Sequence, residues 1–290
     1  MNQRLPHWLA QHIAAVRVVL VLTLLTGLFY PLAMTAVAQL PGLRDSAQGS
    51  RIEGPDGKAA GSSLIGQSFA DEKGNPIKRY FQSRPSNAGT GYDASASAAG
   101  NQGPESVVDA QDKPSLLTLV CGRSRAVGHL EGVDGSRPYC TRDGVGAVLG
   151  VFHNGGTTGR VTRVVSLNQP CPAEPFRPSY EGIAVECAKP GTDYSRAVTV
   201  PVRGDAPEEP VVPADAVTAS ASGLDPHISP AYAELQIPRV ARERGADETS
   251  VRELIKKYTT ARALGVLGEP AVNVVELNIA LDRTYPKRGA

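Results

Sequence analysis

The sequence predicts a single N-terminal transmembrane helix followed by an extracytoplasmic α+β domain that carries a mostly β, disulfide-stapled insert. Three observations favour this class: an uncharged run of 21 residues at positions 18–38, helical and strand-like periodicities after it, and four cysteines that all follow it. The chain has 30 Lys and Arg against 29 Asp and Glu. This balance argues against a nucleic-acid-binding protein, which needs a basic excess.

The uncharged run is long enough to cross a bilayer, because a helix rises ~1.5 Å per residue and a bilayer core is ~30 Å thick. Arg4 and Arg17 precede the run, and the charges that follow it nearly cancel. The positive-inside rule therefore predicts a plasma-membrane protein in contact with lipid, with residues 1–17 cytoplasmic and the C-terminal domain outside. A cleaved signal peptide is the alternative, since residues 36–38 (Ala-Val-Ala) have the small-x-small form of a cleavage site.

The cysteines predict disulfides, because their number is even and their compartment is oxidising. They are Cys121, Cys140, Cys171 and Cys187. Three pairings are open, and the local one, Cys121 with Cys140 and Cys171 with Cys187, would close loops of about 20 residues. Zinc is the alternative, but the sequence lacks the close CxxC spacing that zinc sites favour. We therefore expect no metal site.

The chain after the span divides into a core, residues 39–104 and 213–290, and a cysteine-containing insert, residues 105–212. Within the core, the Gly-Pro-Asp-Gly turn at 54–57 predicts a hairpin. Within the insert, short β-like runs separated by turn signals occupy residues 145–152, 161–167, 183–187 and 197–202.

The C-terminal part of the core reads as two helices and a strand. Ser229 followed by Pro230 is typical of a helix start, and Gly245 of a helix end. A second helix is predicted from Asp247, with Gly265 as its end. Apolar residues alternate with others over residues 275–281, which predicts a strand.

The search for catalytic patterns finds neither a G-x-S-x-G nor an HExxH motif in the sequence. Asp225 lies two residues before His227, a spacing that could orient the imidazole for acid–base work. The alternative is a turn that precedes a Ser229 helix cap. For Arg84 the alternative to a binding role is a buried ion pair, and for Arg262 a charge at a helix C-terminus.

Several stretches together resemble the KdpC subunits of bacterial Kdp potassium-transporting ATPases. They are TGLFYPLAMTAVAQ (26–39), GSSLIGQSF (61–69), YFQSRPSNAGTGYD (80–93), NQGP (101–104), VPADAVTASASGLDPHISPAYAELQIPRVARERG (212–245) and RALGVLGEPAVNVVELNIALD (262–282). The insert lies outside this pattern and resembles expansions associated with actinobacterial members.

The resemblance implies an accessory subunit that is needed for assembly or acts as a catalytic chaperone. We expect it to be non-catalytic, to support the stability of the complex and to help shape ion entry. The resemblance also implies three partners: a channel-like potassium-binding subunit, a P-type ATPase subunit and a small single-span subunit. That complex uses ATP, Mg and K⁺; we expect this chain to bind no cofactor itself, because ATP is on the opposite face of the membrane. A free-standing, membrane-anchored binding module and an anchored extracytoplasmic enzyme are the alternatives.

We expect partner contacts where the resemblance is densest, at the span and at ten residues of the core. The ten are Arg84, Pro85, Ser86, Asp225, His227, Ser229, Arg262, Glu269, Asn273 and Asn278.

Overall fold

A computed structural model of the chain describes residues 6–98, 102–110 and 113–286. Arg4 of the charge argument and Asn101 of the NQGP stretch lie outside the described residues. The chain forms two compact units. One comprises the residues up to Glu53 together with Ala59–Ser62, and the other comprises Gly54–Lys58 and the residues from Ser63 onward.

The N-terminal unit contains one long apolar helical stretch. Helix α1 (His7–Leu24) continues through a π-helical turn (Leu25–Phe29) into α2 (Tyr30–Ala38). The 32 residues contain an 18-residue window with a mean hydropathy of 2.2 and none of it buried, so the stretch could span a membrane. The predicted apolar helix is thus confirmed. After the short α3 (Arg44–Ala47), β1 (Arg51–Glu53) and β2 (Ala59–Ser62) pair antiparallel, which confirms the hairpin.

The middle of the chain is a helix followed by a five-stranded sheet. Helix α4 (Leu116–Glu131), which the sequence did not predict, begins at the Ser115 cap and ends at Gly132 in the left-handed conformation. The strands are β3 (Val148–Gly155), β4 (Thr158–Pro170), β5 (Ser179–Tyr180), β6 (Ile183–Ala188) and β7 (Val198–Pro201). Their order is β5-β6-β4-β3-β7, with β4 and β6 parallel and the other pairs antiparallel. The predicted strand-rich character is confirmed.

Two disulfides join neighbouring elements of this middle part. Cys121 in α4 bonds Cys140, which precedes β3, and Cys171 at the end of β4 bonds Cys187 in β6. The predicted disulfides are therefore confirmed, and of the three pairings that the sequence left open the structure has the local one. The zinc alternative is wrong for these four residues.

The C-terminal part combines three helices with a small sheet. Its elements are β8 (His227–Ile228), α5 (Pro230–Arg244), α6 (Glu248–Lys257), β9 (Thr259–Thr260), β10 (Ala271–Asn273) and α7 (Val274–Thr284). The strands lie in the antiparallel order β8-β10-β9. Ser229 caps α5, because its Oγ accepts the N–H of Tyr232 at 3.0 Å, and Gly245 ends the helix at φ +62°. Both predicted ends of α5 are confirmed.

Two expectations for this part are wrong. The stretch 275–281 is helical, within α7, rather than a strand. Its buried residues include Val274, Leu277 and Leu281, which share one face of a helix, and Asn273 caps the first turn by accepting the N–H of Glu276 at 3.1 Å. Helix α6 ends at Lys257 rather than at Gly265, because the chain leaves it for β9.

Helices α5, α6 and α7 bury one shared apolar core. Ile237, Val251 and Leu277 represent the three helices in it, and Phe81 from an irregular segment is fully buried against them. A second cluster, which includes Leu149 and Val164, lies on the five-stranded sheet. The irregular segment that contributes Phe81 also carries the first candidate residues of the site.

Candidate functional site

Two buried amide side chains hold the 80–93 segment, whose residues 81–87 form neither helix nor strand. Asn278 of α7 accepts the N–H of Phe81 at 2.9 Å and donates to its carbonyl at 2.9 Å. Gln236 of α5 does the same for Gln82, at 2.6 and 3.2 Å. Each amide therefore presents one donor and one acceptor to a peptide group, as a neighbouring strand would.

We refer to the side chains of Asn278 and Gln236 as the amide clamp. Beyond it, Arg84, Asp225 and His227 form a half-buried charged cluster. Nη1 of Arg84 lies 3.1 Å from Oδ2 of Asp225, so the ion pair considered for Arg84 is present. Oδ1 of Asp225 accepts the backbone N–H of His227 at 2.9 Å and lies 3.3 Å from its Nδ1. The His227 side chain holds the pKa of the Asp225 carboxyl below its usual range, and Arg84 adds to this, while partial burial opposes it.

Ser86 and Tyr92 fix the chain around this cluster. Oγ of Ser86 donates to the Gly223 carbonyl at 2.7 Å and accepts the N–H groups of Ala88 and Tyr92. The Tyr92 hydroxyl donates to the Arg84 carbonyl at 2.8 Å, and burial raises the pKa of Tyr92 to about 12. The ring lies so close to Gly66 that a Cβ there would stand 2.3 Å from it, which explains a glycine at this position.

Pro85 and Ser229 form hydrogen bonds with residues that precede β8. The Pro85 carbonyl accepts the N–H of Ser220 at 3.0 Å. Besides capping α5, Ser229 donates both its N–H and its hydroxyl to Asp215, at 2.7 and 2.8 Å. The structure therefore agrees with the alternative stated for the 225–229 stretch, a turn that precedes a helix cap at Ser229.

Asn273 lies beside His227, because β10 and β8 pair these two residues directly. Its Nδ2 donates to the Ser63 carbonyl at 2.8 Å while its Oδ1 caps α7. Arg262 and Glu269 are separate from this group and form an exposed ion pair of 2.6 Å in the loop between β9 and β10. The helix-terminus interpretation of Arg262 is wrong, since α6 ends at Lys257.

The polar groups of the site bind mainly to one another and to the nearby backbone. The Asp225 carboxylate is compensated by a guanidinium, and the Ser86 hydroxyl is engaged with three backbone groups. Within the described ranges, no group of three or more His, Cys, Asp or Glu is arranged to hold a metal ion. The half-exposed edges of Arg84, Asp225 and His227 can offer hydrogen bonds and charge to a second molecule.

The model of the KdpC family, described as the c chain of the K⁺-transporting ATPase, matches residues 12–113 and 193–283. The chain belongs to the KdpC family. It is 36% identical over 295 aligned positions to the potassium-transporting ATPase KdpC subunit of Streptomyces coelicolor, covering 97% of this chain and 96% of that one. It is 35% identical to the potassium-transporting ATPase KdpC subunit of Koribacter versatilis, and the alignment covers 94% of this chain and 95% of that one. It is 34% identical to the KdpC subunit of Mycobacterium tuberculosis strain H37Ra, and the alignment covers 94% of this chain and 98% of that one.

The KdpC match divides the candidate residues from the cysteines. All ten candidate contact residues lie in the two matched segments, whereas all four cysteines lie in the unmatched residues 114–192. The amide clamp on the 80–93 segment, formed by Gln236 and Asn278, thus belongs to the part that the family shares. The predicted domain boundaries at residues 104 and 213 stay predictions.

Sequence reasoning missed Gln236 and Tyr92 of this KdpC chain, and it also missed the buried ion pair of Arg239 and Glu131. Nε of Arg239 lies 3.0 Å from both Glu131 oxygens, and its other nitrogens donate to the carbonyls of Lys78 and Tyr80 and to Gln236. An arginine at an inward position of the α5 pattern was the available signal. Its partner could not be inferred, because Glu131 lies 108 residues away, in α4.

Proposed function

We propose that this chain is a non-catalytic accessory subunit of a high-affinity, ATP-driven potassium-uptake complex. In this proposal it binds the channel-like potassium-binding subunit, the P-type ATPase subunit and the small single-span subunit, supports their assembly and stability, and helps shape ion entry. ATP, Mg and K⁺ are handled by those partners. The N-terminus is cytoplasmic and the domain extracytoplasmic.

The observation that carries the proposal is the family match, which includes the apolar helix from residue 12 onward and all ten candidate contact residues of the core. Relatives that align over more than nine-tenths of this chain are named as KdpC subunits of potassium-transporting ATPases. A subunit with one candidate span among its described residues contributes to transport by binding the subunits that form the ion path.

The geometry of the site supports a binding role. Arg84, Asp225 and His227 are held in fixed positions by each other and by the 80–93 segment, yet each keeps an exposed part. Fixed, half-exposed charged groups lose little side-chain entropy on binding, which favours recognition of a partner. The Ser86 hydroxyl, engaged with three backbone groups, serves to hold that arrangement.

Deletion of the gene tests the proposal. We expect loss of growth at low K⁺ and loss of K⁺-stimulated ATPase activity in membranes, both restored by the gene on a plasmid. A pull-down of the tagged full chain from detergent-solubilised membranes, followed by mass spectrometry, should recover the three partner subunits. Unchanged growth and ATPase activity would contradict the subunit assignment, and recovery of the chain as a single species would favour a free-standing binding module.

Topology is tested separately. A reporter that is active only outside the cytoplasm, fused after residue 60, should be active. A mature protein that begins at Gln39 would instead favour the cleaved signal peptide.

A further inference from the structure

The loop between β9 and β10, residues 261–270, exposes three large apolar side chains at its tip. Leu264 is 90% exposed, Val266 73% and Leu267 60%. A soluble surface tolerates single apolar residues, but three neighbouring ones on one projecting turn are typical of an interaction site. We refer to Leu264, Val266 and Leu267 as the apolar tip.

The apolar tip is held in one shape. Ala263 and Leu267 exchange two backbone hydrogen bonds, of 2.8 and 2.9 Å, across the turn. Leu264 adopts φ +53° and Gly265 φ +77°. A left-handed conformation is unfavourable for a residue with a Cβ, and such strain in an exposed turn indicates that the presented shape matters more than the stability of the turn.

The charges of the loop identify the kind of surface that the tip fits. Its two charged residues, Arg262 and Glu269, pair with each other at 2.6 Å at the base of the turn. The tip is therefore uncharged, and residues 261–270 contain no Trp, Tyr or Lys. Segments that settle at a lipid interface typically present aromatic anchors and basic side chains. A small, preorganised, uncharged tip instead matches an apolar pocket on a protein.

We propose that the apolar tip is a hydrophobic anchor that inserts into an apolar pocket on another subunit of the potassium-transporting complex. The proposal rests on the proposed function, because it requires that such subunits bind this chain. It adds the contact itself: Leu264 and Val266 enter the pocket, while the Arg262–Glu269 pair remains at the rim and stabilises the base of the loop.

Photo-crosslinking in native membranes tests the occupant. A photoreactive phenylalanine analogue is placed at position 264 of the full chain, and the matched control carries it at Val211, which is 48% exposed in the Pro-rich stretch before residue 213. We expect a covalent product between position 264 and one partner subunit, identified by mass spectrometry, and at least ~10-fold less of it from position 211. A product with lipid alone, or with a second copy of this chain alone, would overturn the proposal.

Substitutions then separate binding from folding. Leu264→Asn removes the apolar side chain but suits the left-handed backbone, so the melting temperature of the full chain should stay equal or rise. Retention of partner subunits in the detergent pull-down should nevertheless fall at least ~10-fold. Val266→Ser, at a position outside the strained residue, should weaken retention in the same direction, whereas the matched Val211→Ser should not.

Wild-type retention in both Leu264→Asn and Val266→Ser would overturn the anchor. The proposed function would survive that result if deletion of the whole chain still abolished growth at low K⁺. Conversely, a chain whose deletion has no effect on growth or ATPase activity would remove the proposed function and the anchor together. The two proposals therefore fail in distinguishable ways.

Discussion

The five-stranded sheet and the 80–93 segment satisfy their backbone groups in opposite ways. In the sheet, β3 to β7 bond to one another through main-chain ladders. In the 80–93 segment, the side chains of Asn278 and Gln236 take the place of the neighbouring strand. A ladder survives most substitutions, since every residue but proline carries its own donor and acceptor. A peptide group held by one side chain depends on that residue alone.

The two regions also differ in how they are cross-linked. The sheet and α4 carry the two disulfides, which act mainly by restricting the unfolded chain. The region around the amide clamp of Gln236 and Asn278 relies on the buried pair of Arg239 with Glu131, and substitution of either partner leaves the charge of the other unpaired in the core. The clamp region should therefore be the more sensitive to single substitutions, and the following variants test this difference.

The largest effect is expected for Arg239→Met. It leaves Glu131 buried without a counter-charge and removes donors from the Lys78 and Tyr80 carbonyls, so the free energy of unfolding should fall by ~3–5 kcal/mol. Denaturant unfolding of the full chain in detergent measures it. Arg252→Met is the matched control, because Arg252 pairs with Glu234 at the exposed surface and should cost ~0–1 kcal/mol. Equal losses in the two variants would contradict the prediction.

The disulfides should rank next. Replacing Cys121 and Cys140 together by Ala should lower the free energy of unfolding by ~3 kcal/mol, as expected for a loop closed over 19 residues, without reducing retention of partner subunits. Thiol titration of the native full chain should find no reactive cysteine before reduction and four after it. Free thiols in the unreduced protein would argue against the pairing.

A smaller loss of unfolding free energy is expected for Asn278→Leu. This substitution keeps the side-chain volume but leaves the buried N–H and C=O of Phe81 without hydrogen-bond partners. Two such groups without partners should cost ~2 kcal/mol. In the sheet, Thr162→Val removes a side-chain bond to the Phe152 carbonyl at an exposed position, and should change stability by no more than ~0.5 kcal/mol. If the two variants have the same melting temperature, the predicted difference in sensitivity between the amide clamp and the strand ladder is wrong.

The smallest effect concerns pH and Asp225. Its pKa in the folded protein lies below the reference value of 3.8, so the ionised carboxylate stabilises the fold above that pH. The stabilisation is lost as the pH falls through the folded-state pKa. The difference in melting temperature between the wild type and Asp225→Asn should therefore shrink as the pH falls from about 5 to below 4, within the approximate titration range of a carboxyl group. A difference that grows on acidification would contradict the sign.

Much of the site was predictable residue by residue, but its connections were not. Asp225, His227 and Arg84 were candidates, and the structure places Arg84 and His227 each within hydrogen-bonding distance of the Asp225 carboxylate. Asn278 was a candidate contact as well, yet its side chain is buried on Phe81, 197 residues away in sequence. Gln236, Tyr92 and Arg239 were missed. Only Arg239 gave a local signal, its inward position in the α5 pattern, and the distant groups that the three side chains bind cannot be inferred from the sequence.

The sequence by itself determined the features that depend on neighbours along the chain. The uncharged run made the apolar helix, Ser229 and Gly245 set the ends of α5, and the even number of cysteines predicted disulfides without fixing their pairing. Tertiary structure alone decided between helix and strand at 274–284, because an alternating pattern of a few residues fits both periods until the core selects the buried face. It likewise decided the partners of the 80–93 segment, since those bonds form only when residues far apart in sequence pack together.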